Sequence, residues 1–383
     1  ELFNLGLATG AMWLDIDNDN DSDLLVATEY GPVRLFLNNE GKFEDTTVSS
    51  GLDKWHGLWT GITAGDFNED GYMDFAAANW GLNTRYTASE TYPHMLYAGN
   101  IDGDGDLDIV EAEYVNGILR PMRERGMVGA EMPFVYEKFD TFKSYAEASL
   151  EEIFGERLKQ EGVITLSANT LQHGVFINNG KGGFEMSPLP GLVQASTGYG
   201  IASADFDNDG HEDLYLVGNF SHSDHEFRQF AGGISYLLSG NGDGTFNEIP
   251  STKSGLFVPY DGRGVAVSDF NSDGWVDIAV GVNNERPLLF KNQGGKDNCA
   301  LTLKLEGQAP NPLAIGARIE VIRSDNTTTT REVQAGSGYF SQNSATQLFG
   351  LGKGKEAQIK VTWPNGEVTT KPAVKCGTHK VKQ

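Results

Sequence analysis

Apolar residues in this chain come in short runs, separated by clusters rich in Gly, Asp and Asn. GITAGDF (61–67) and MDFAAAN (73–79) set the pattern. Each is short, apolar and glycine-bounded, which suits a pair of buried strands joined by a hairpin better than a pair of helices. The connection, DFNEDGYMD (66–74), carries an oxygen-bearing side chain at positions 1, 3, 5 and 9 and a glycine at position 6. Alternate side chains of a tightly curled loop converge on one point, and a hard cation such as calcium takes six to eight oxygen ligands. Gly71 permits the sharp turn. An EF-hand would also need flanking helices and a bidentate Glu at position 12, where this loop has Ala77.

The same grammar recurs as DIDNDNDSD from Asp15, NIDGDGDLD from Asn100, DFDNDGHED from Asp205 and DFNSDGWVD from Asp269. Only the Asn100 copy has an acid at position 12, Glu111; the other three have Val26, Leu216 and Val280. Strands therefore remain the common explanation. The expected metal ligands are Asp15, Asp17, Asp19 and Asp23; Asp66, Asn68, Asp70 and Asp74; Asn100, Asp102, Asp104 and Asp108; Asp205, Asp207, Asp209 and Asp213; and Asp269, Asn271, Asp273 and Asp277. A second element accompanies the loops. FLNNEGKFED, FINNGKGGFE, LLSGNGDGTFNE and LFKNQGGK each set an apolar strand end before an Asn/Gly-rich turn, which favours the positive φ of tight hairpins. Each repeat reads as strand, metal loop, strand, variable segment, strand, turn, strand, and four-stranded units in series are propeller blades.

The metal loops with their NNG-type turns resemble FG-GAP repeats, the calcium-loaded propeller blades also found in integrin heads. The tail is similar to the ASPIC/UnbV domain through AIGARIEV (314–321), REVQAGSGYFSQNS (331–344), FGLG (349–352) and VTWPNGE (361–367). The resemblance implies an all-β, extracellular, calcium-loaded β-propeller over 1–296, with a helical insertion at about 115–165, and a small β domain over 297–383. Five metal loops give five blades. Their starts at 15, 66, 100, 205 and 269 are irregularly spaced, so the alternative is part of a seven-bladed propeller. The chain begins at Glu1 without a Met or a signal peptide, which reads as a mature product or an excised portion.

Net charge of −24 argues against nucleic acid or an anionic membrane as partner. Much of the acidity is local, because 17 of the 20 expected ligands are carboxylates and five calcium ions would bring the charge to −14. No apolar run approaches the length of a membrane helix, and the expected location is secreted, cell-surface or periplasmic. Cys299 and Cys376 bracket the tail. If its terminal strands pair, a disulfide is geometrically reasonable, and the extracellular resemblance favours it over two buried thiols. SLEEIFGERLKQEG (149–162) reads as one helix, with a capping box at Ser149 and Glu152 and Gly162 as its stop.

Catalytic signatures are weak. SHSDHE (221–226) holds His222, Asp224, His225 and Glu226, but no third zinc ligand can be named. GSGYFS lacks the GxSxG arrangement. The elaborated segments 79–93, 115–172 and 219–233 follow the second strands, and strands of a blade alternate in direction. They are therefore expected on the face opposite the metal loops, with Trp80, Arg85, Tyr86, Arg123, His222, His225 and Arg228 forming a recognition surface. The favoured function is binding or adhesion to a glycan or protein ligand, with calcium as a structural ion. The alternative is a calcium-dependent carbohydrate-active enzyme such as a polysaccharide lyase.

Overall fold

The computed structural model describes residues 5–221, 229–295 and 297–383. Four antiparallel sheets are built on the repeat. The first runs Leu7–Leu14, Asp23–Gly31, Arg34–Asn39 and Lys42–Asp45 in order, with Gly57–Leu58 added against its second strand. The third runs Gly198–Ala204, Asp213–Gly218, Tyr236–Gly240 and Phe246–Ile249. In the fourth, the described residues supply Gly262–Ser268, Asp277–Val282 and Leu288–Phe290. The second strands are the most buried because apolar side chains pack on both faces; in Asp213–Gly218 every residue is buried.

The second sheet corrects the repeat count. Its strands are Ile62–Gly65, Asp74–Ala77, Gly174–Asn178 and Phe184–Pro188, so FINNGKGGFE completes the repeat that DFNEDGYMD begins. Gly174 pairs with Ala77 and Phe176 with Phe75, and these two Phe rings stack at 4.5 Å. Residues 78–173 are an insertion with its own sheet, ordered Ile118–Pro121, Asp108–Val115, His94–Gly99 and Ile164–Ala168. The Asn100 loop joins the two middle strands of this sheet, so it belongs to no fifth repeat unit. Long insertions cost little closure entropy, and nothing local in the sequence announces where the host sheet resumes.

Four short helices cover the inserted sheet: Arg125–Glu131, Phe134–Lys138, Phe142–Glu147 and Leu150–Phe154. Val128, Met132, Val135, Tyr145, Ile153 and Phe154 pack with Ile101, Val110 and Ala112. The Ser149–Glu152 capping box is present in both directions, but its helix ends at Phe154 and gives way to a 3-10 turn.

The first strands of the four sheets are neighbours. Thr9 Oγ1 donates to Trp59 O at 2.7 Å, Thr60 Oγ1 to Gly198 O at 2.8 Å, and Thr63 and Ser203 hydroxyls meet at 3.0 Å. Between the third and fourth sheets a Cβ on Gly200 would lie 2.3 Å from Arg263 O. The tail forms two more sheets around Leu301, Leu303, Ile319, Val321, Phe349, Ile359, Val361 and Trp363. Its terminal strands Ala300–Glu306 and Gly377–Lys382 pair in parallel, and a disulfide joins Cys299 to Cys376 with Cα atoms 6.0 Å apart. The segment 335–344 leaves the tail and lies among the first strands. Trp13 N donates to Ala335 O at 2.8 Å, Ile62 N to Gly338 O at 3.2 Å and Ser344 N to Val267 O at 3.3 Å. Gly338 has φ +61°, and a Cβ there would approach Ile201 O to 3.0 Å.

Candidate metal centres and the surface that covers them

In two of the loops the carboxylates at positions 1, 3 and 5 converge. Oxygens of Asp15, Asp17 and Asp19 all lie within 4.8 Å of one another, as do those of Asp205, Asp207 and Asp209. In the four loops that open on Asp, the position-one carboxylate organises the loop from inside. Asp15 accepts from the N–H groups of Asp19 and Asn20, Asp205 from Asp209 and Gly210, and Asp269 from Asp273 and Gly274. Asp66 accepts from Gly71, whose φ of +89° makes the turn, while its Oδ1 is buried without a hydrogen-bond partner.

Position nine has a different duty. In each of the four repeat sheets its carboxylate receives two backbone N–H groups, one from loop position two and one from the start of the Asn/Gly turn. Asp23 takes Ile16 and Asn38, Asp74 takes Phe67 and Asn178, Asp213 takes Phe206 and Gly240, and Asp277 takes Phe270 and Asn292, all between 2.7 and 3.0 Å. A carboxylate oxygen that accepts one N–H keeps another lone pair, so this clasp is compatible with ligation. Asp108 takes N–H groups only from Ile101 and Asp102, in keeping with an inserted sheet that lacks such a turn.

Burial raises the carboxyl pKa of Asp23, Asp66 and Asp205 to about 7 and that of Asp74 to about 8. For Asp66 the neighbouring Asp70 charge adds to the rise. Arg331 offsets part of this for Asp205 and Arg318 part for Asp66, but several buried carboxylates drawn together remain costly. With the partnerless Asp66 oxygen, they fit a divalent cation held by oxygen ligands.

Four loops form a linked series. Asn18, position four of the first loop, donates to Gly71 O in the second at 3.4 Å. Asn208, position four of the Asp205 loop, donates to Gly274 O in the next at 3.0 Å. Between these pairs, Glu69 of the second loop bonds His211 of the Asp205 loop, which raises the imidazole pKa. The Asn100 loop stands apart from the series; Gln160 and Arg157 of the insertion donate to its carbonyls.

The tail sheet sits on this series, a contact the sequence reading did not anticipate. Arg318 bonds both Asn18 Oδ1 and Gly71 O. Arg323 and Thr329 donate to Gly210 O at 3.1 and 2.9 Å, and Gly350 N reaches Asp205 Oδ2 at 3.1 Å. Arg331 pairs with buried Glu212, and Glu332 accepts from Asp15 N at 2.8 Å. Arg318 lies in AIGARIEV, and Arg331 and Glu332 open REVQAGSGYFSQNS, so the signal was in the motifs, unread as contacts.

The expected recognition residues are only partly gathered. Segments 79–93, 115–172 and 219–233 do meet: Trp80, Tyr86, Met122, Leu166, Phe220 and Phe230 share one apolar cluster. Within it the side chains are largely used. Tyr86 is buried and its hydroxyl shares Glu111 with that of Tyr30, and Arg85 donates to Met122 O. Trp80 is half-buried against Tyr86, Phe220 and Phe230. Arg123, within the insertion, pairs its guanidinium with Glu131 at 2.9 Å. His222, His225 and Arg228 lie outside the described residues.

Comparison with known proteins follows the same division. Residues 15–77 and 163–216 match the FG-GAP-like repeat and 262–296 the FG-GAP repeat, so the matches step over most of the insertion. Residues 307–381 match the ASPIC and UnbV family. Cartilage acidic protein 1 of Homo sapiens is 23% identical over 356 residues, covering 91% of this chain and 40% of that protein. Its Xenopus tropicalis counterpart is 24% identical over 373 residues, 96% of this chain and 42% of that one. The chain thus spans about two fifths of the length of the curated relatives it matches. The pilus adhesin SpaC of Lactobacillus rhamnosus GG aligns over 94% of this chain and 46% of that one at 8% identity, with a TM-score of 0.14, too low to argue from. Repeats, tail and relatives agree, and the chain belongs with the proteins that join FG-GAP repeats to an ASPIC/UnbV domain.

Proposed function

We propose that this chain is an extracellular, calcium-binding β-propeller segment that serves as a binding or adhesion module for a glycan or protein ligand. The four repeat sheets are its consecutive blades, residues 1–296 the propeller portion and 297–383 the ASPIC/UnbV-type domain. The observation that carries the metal reading is the convergence of the carboxylates at positions 1, 3 and 5. Calcium matches an all-oxygen donor set of this kind. The Cys299–Cys376 bridge supports an oxidising compartment. Among the described residues no helix is long and apolar enough to cross a membrane.

In this reading calcium stiffens the blades, and ligand meets the aromatic cluster where the elaborated segments converge. Titration calorimetry with calcium, followed by a glycan and protein-ligand screen with and without chelator, tests it. The expected result is saturable calcium uptake and a ligand whose binding falls for Trp80→Ala while calcium affinity holds. Identical melting curves in chelator and in millimolar calcium would sink the metal reading, and unchanged ligand binding by Trp80→Ala would sink the proposed surface.

A further inference from the structure

The tail reverses the charge of the molecule. Residues 297–383 hold 11 Lys and Arg against 7 Asp and Glu, whereas the chain as a whole carries −24. Arg318, Arg323 and Arg331 turn toward the metal loops. Five of the tail's eight lysines gather elsewhere. Lys371 and Lys375 stand on the edge strand Val368–Lys375, Lys380 and Lys382 on the edge strand Gly377–Lys382, and Lys304 on the strand that pairs with the latter. Where these lysines bond, they bond tail residues.

Lys304 stands in register with Lys380 in the parallel pair, and Glu306 with Lys382. Their neighbours Leu303, Leu305 and Val381 fill the tail core, so the alternation of a strand turns Lys304, Glu306, Lys380 and Lys382 outward together. Glu306 bonds Lys380 and Lys382 at 3.0 Å each, one carboxylate shared by two ammoniums. Lys371 Nζ donates to Lys380 O at 3.1 Å, which brings another ammonium to the same strand without neutralising it. Among the described residues no carboxylate forms an ion pair with Lys304, Lys371 or Lys375, although Glu356 stands opposite Lys375 in register. The face thus sets five lysines against two acids.

Lysines at a sheet edge also hinder edge-to-edge pairing. In the first, second and third sheets, however, the outer strands Lys42–Asp45, Phe184–Pro188 and Phe246–Ile249 carry Glu44, Asp45, Glu185 and Glu248 against one lysine, Lys42. Acids guard the edges there, so edge protection does not explain why the tail's edges are basic. We infer that the face formed by Lys304, Lys371, Lys375, Lys380 and Lys382 binds an acidic polysaccharide, a chain bearing sulfate or uronate groups. This deepens the proposed extracellular glycan-binding reading, on which it rests, and gives it a second surface. Lysine ammoniums are point charges on flexible stems, suited to anions repeated along a flexible polymer. Ala300–Glu306 and the two edge strands contain no Phe, Tyr or Trp on which a base could stack, which disfavours single-stranded nucleic acid. Anionic lipid, the usual target of lysine clusters, belongs to the cytoplasmic leaflet, whereas the Cys299–Cys376 bridge supports an oxidising compartment. The acidic repeat sheets repel the same polymer and so confine it to the tail.

The test uses the full chain in millimolar calcium, with immobilised heparin as the sulfated probe and hyaluronan as the uronate probe, read by surface plasmon resonance. Binding to at least one should be saturable at about 0.15 M salt and weaken steeply as salt rises; which polymer binds assigns the anion. Lys304→Gln and Lys380→Gln should each weaken it about fivefold, the scale of one lysine at an anionic surface, with the melting temperature unchanged. Lys143→Gln with Lys181→Gln, exposed lysines outside the tail, should leave binding as it was, and so should Trp80→Ala. No binding to either polymer, an equal loss in the Lys143 and Lys181 variant, or tighter binding to single-stranded DNA or to anionic lipid vesicles would each overturn the inference. A chain that binds neither polymer yet loses another ligand through Trp80→Ala would refute this surface and leave the proposed function standing.

Discussion

At the scale of single residues, the position-nine aspartates show how one carboxylate ties three pieces of chain together. Asp74 is fully buried and holds Phe67 N and Asn178 N, groups on either side of the whole insertion. Asp74→Ala would strand two buried N–H donors, and each costs about 1–3 kcal/mol. We expect a loss of about 2–5 kcal/mol by denaturant titration in calcium, and a smaller loss for Asp108→Ala, whose carboxylate makes no clasp to a turn. His173 offers a pH test. Its Nδ1 accepts from Asn79 N and its Nε2 bonds Ser196 O, and burial lowers its pKa to about 4. His94, buried with neither ring nitrogen hydrogen-bonded, is lowered to about 4 in the same way. The ordinary pKa in the unfolded chain is near 6.5, so below it the unfolded state binds more protons than the folded one. The contribution is whole above pH 6.5 and is lost as pH falls toward 4. Melting temperatures in calcium should decline over that window, and His173→Gln should flatten the decline.

At the scale of elements, what could be read from the sequence was what is encoded locally. The loops, the Asn/Gly turns and the Ser149 capping box are each settled within a dozen residues, and all are present. The pairing of Gly174 with Ala77 is non-local, so one expected blade resolved into an insertion and its host sheet. The helices Arg125–Glu131 and Phe134–Lys138 begin at Glu124 and Pro133 with no side-chain cap, leaving no start signal to find. Of the candidate surface, residue types were legible but side-chain partners were not, as the Arg123–Glu131 pair shows. The bridge between Cys299 and Cys376 came from pairing the tail's end strands. In the chain-entropy model its loop of 77 residues is worth about 4 kcal/mol. The Cys299→Ser, Cys376→Ser double variant should unfold its tail at lower denaturant by that amount, and thiol titration of the unreduced, unfolded protein should find no free thiol.

At the scale of the whole molecule, the tail and the loops share one electrostatic arrangement. Arg318 spans the first two loops, and Arg323 reaches Gly210 of the Asp205 loop and lies 3.8 Å from Glu69 of the second. If the loops hold calcium as proposed, removing it would leave these cations facing loops whose carboxylates repel one another. Hydrogen exchange in chelator should therefore lose protection in Arg318–Arg323 and Thr328–Glu332 together with the loops, while the strand Ile164–Ala168 of the inserted sheet keeps its own. Unchanged protection in the tail strands would show that docking does not depend on the ion.

The segment 335–344 has a further consequence, one of timing. It leaves the ribosome well after Trp13, Ile62 and Val267, yet it bonds all three. Those strands wait with backbone groups unpaired until this segment is made, since contacts so distant along the chain form late and slowly. A chain stopped near residue 310 would thus be an unfinished form of this molecule, open along the inner strands where unpaired edges meet one another and aggregate.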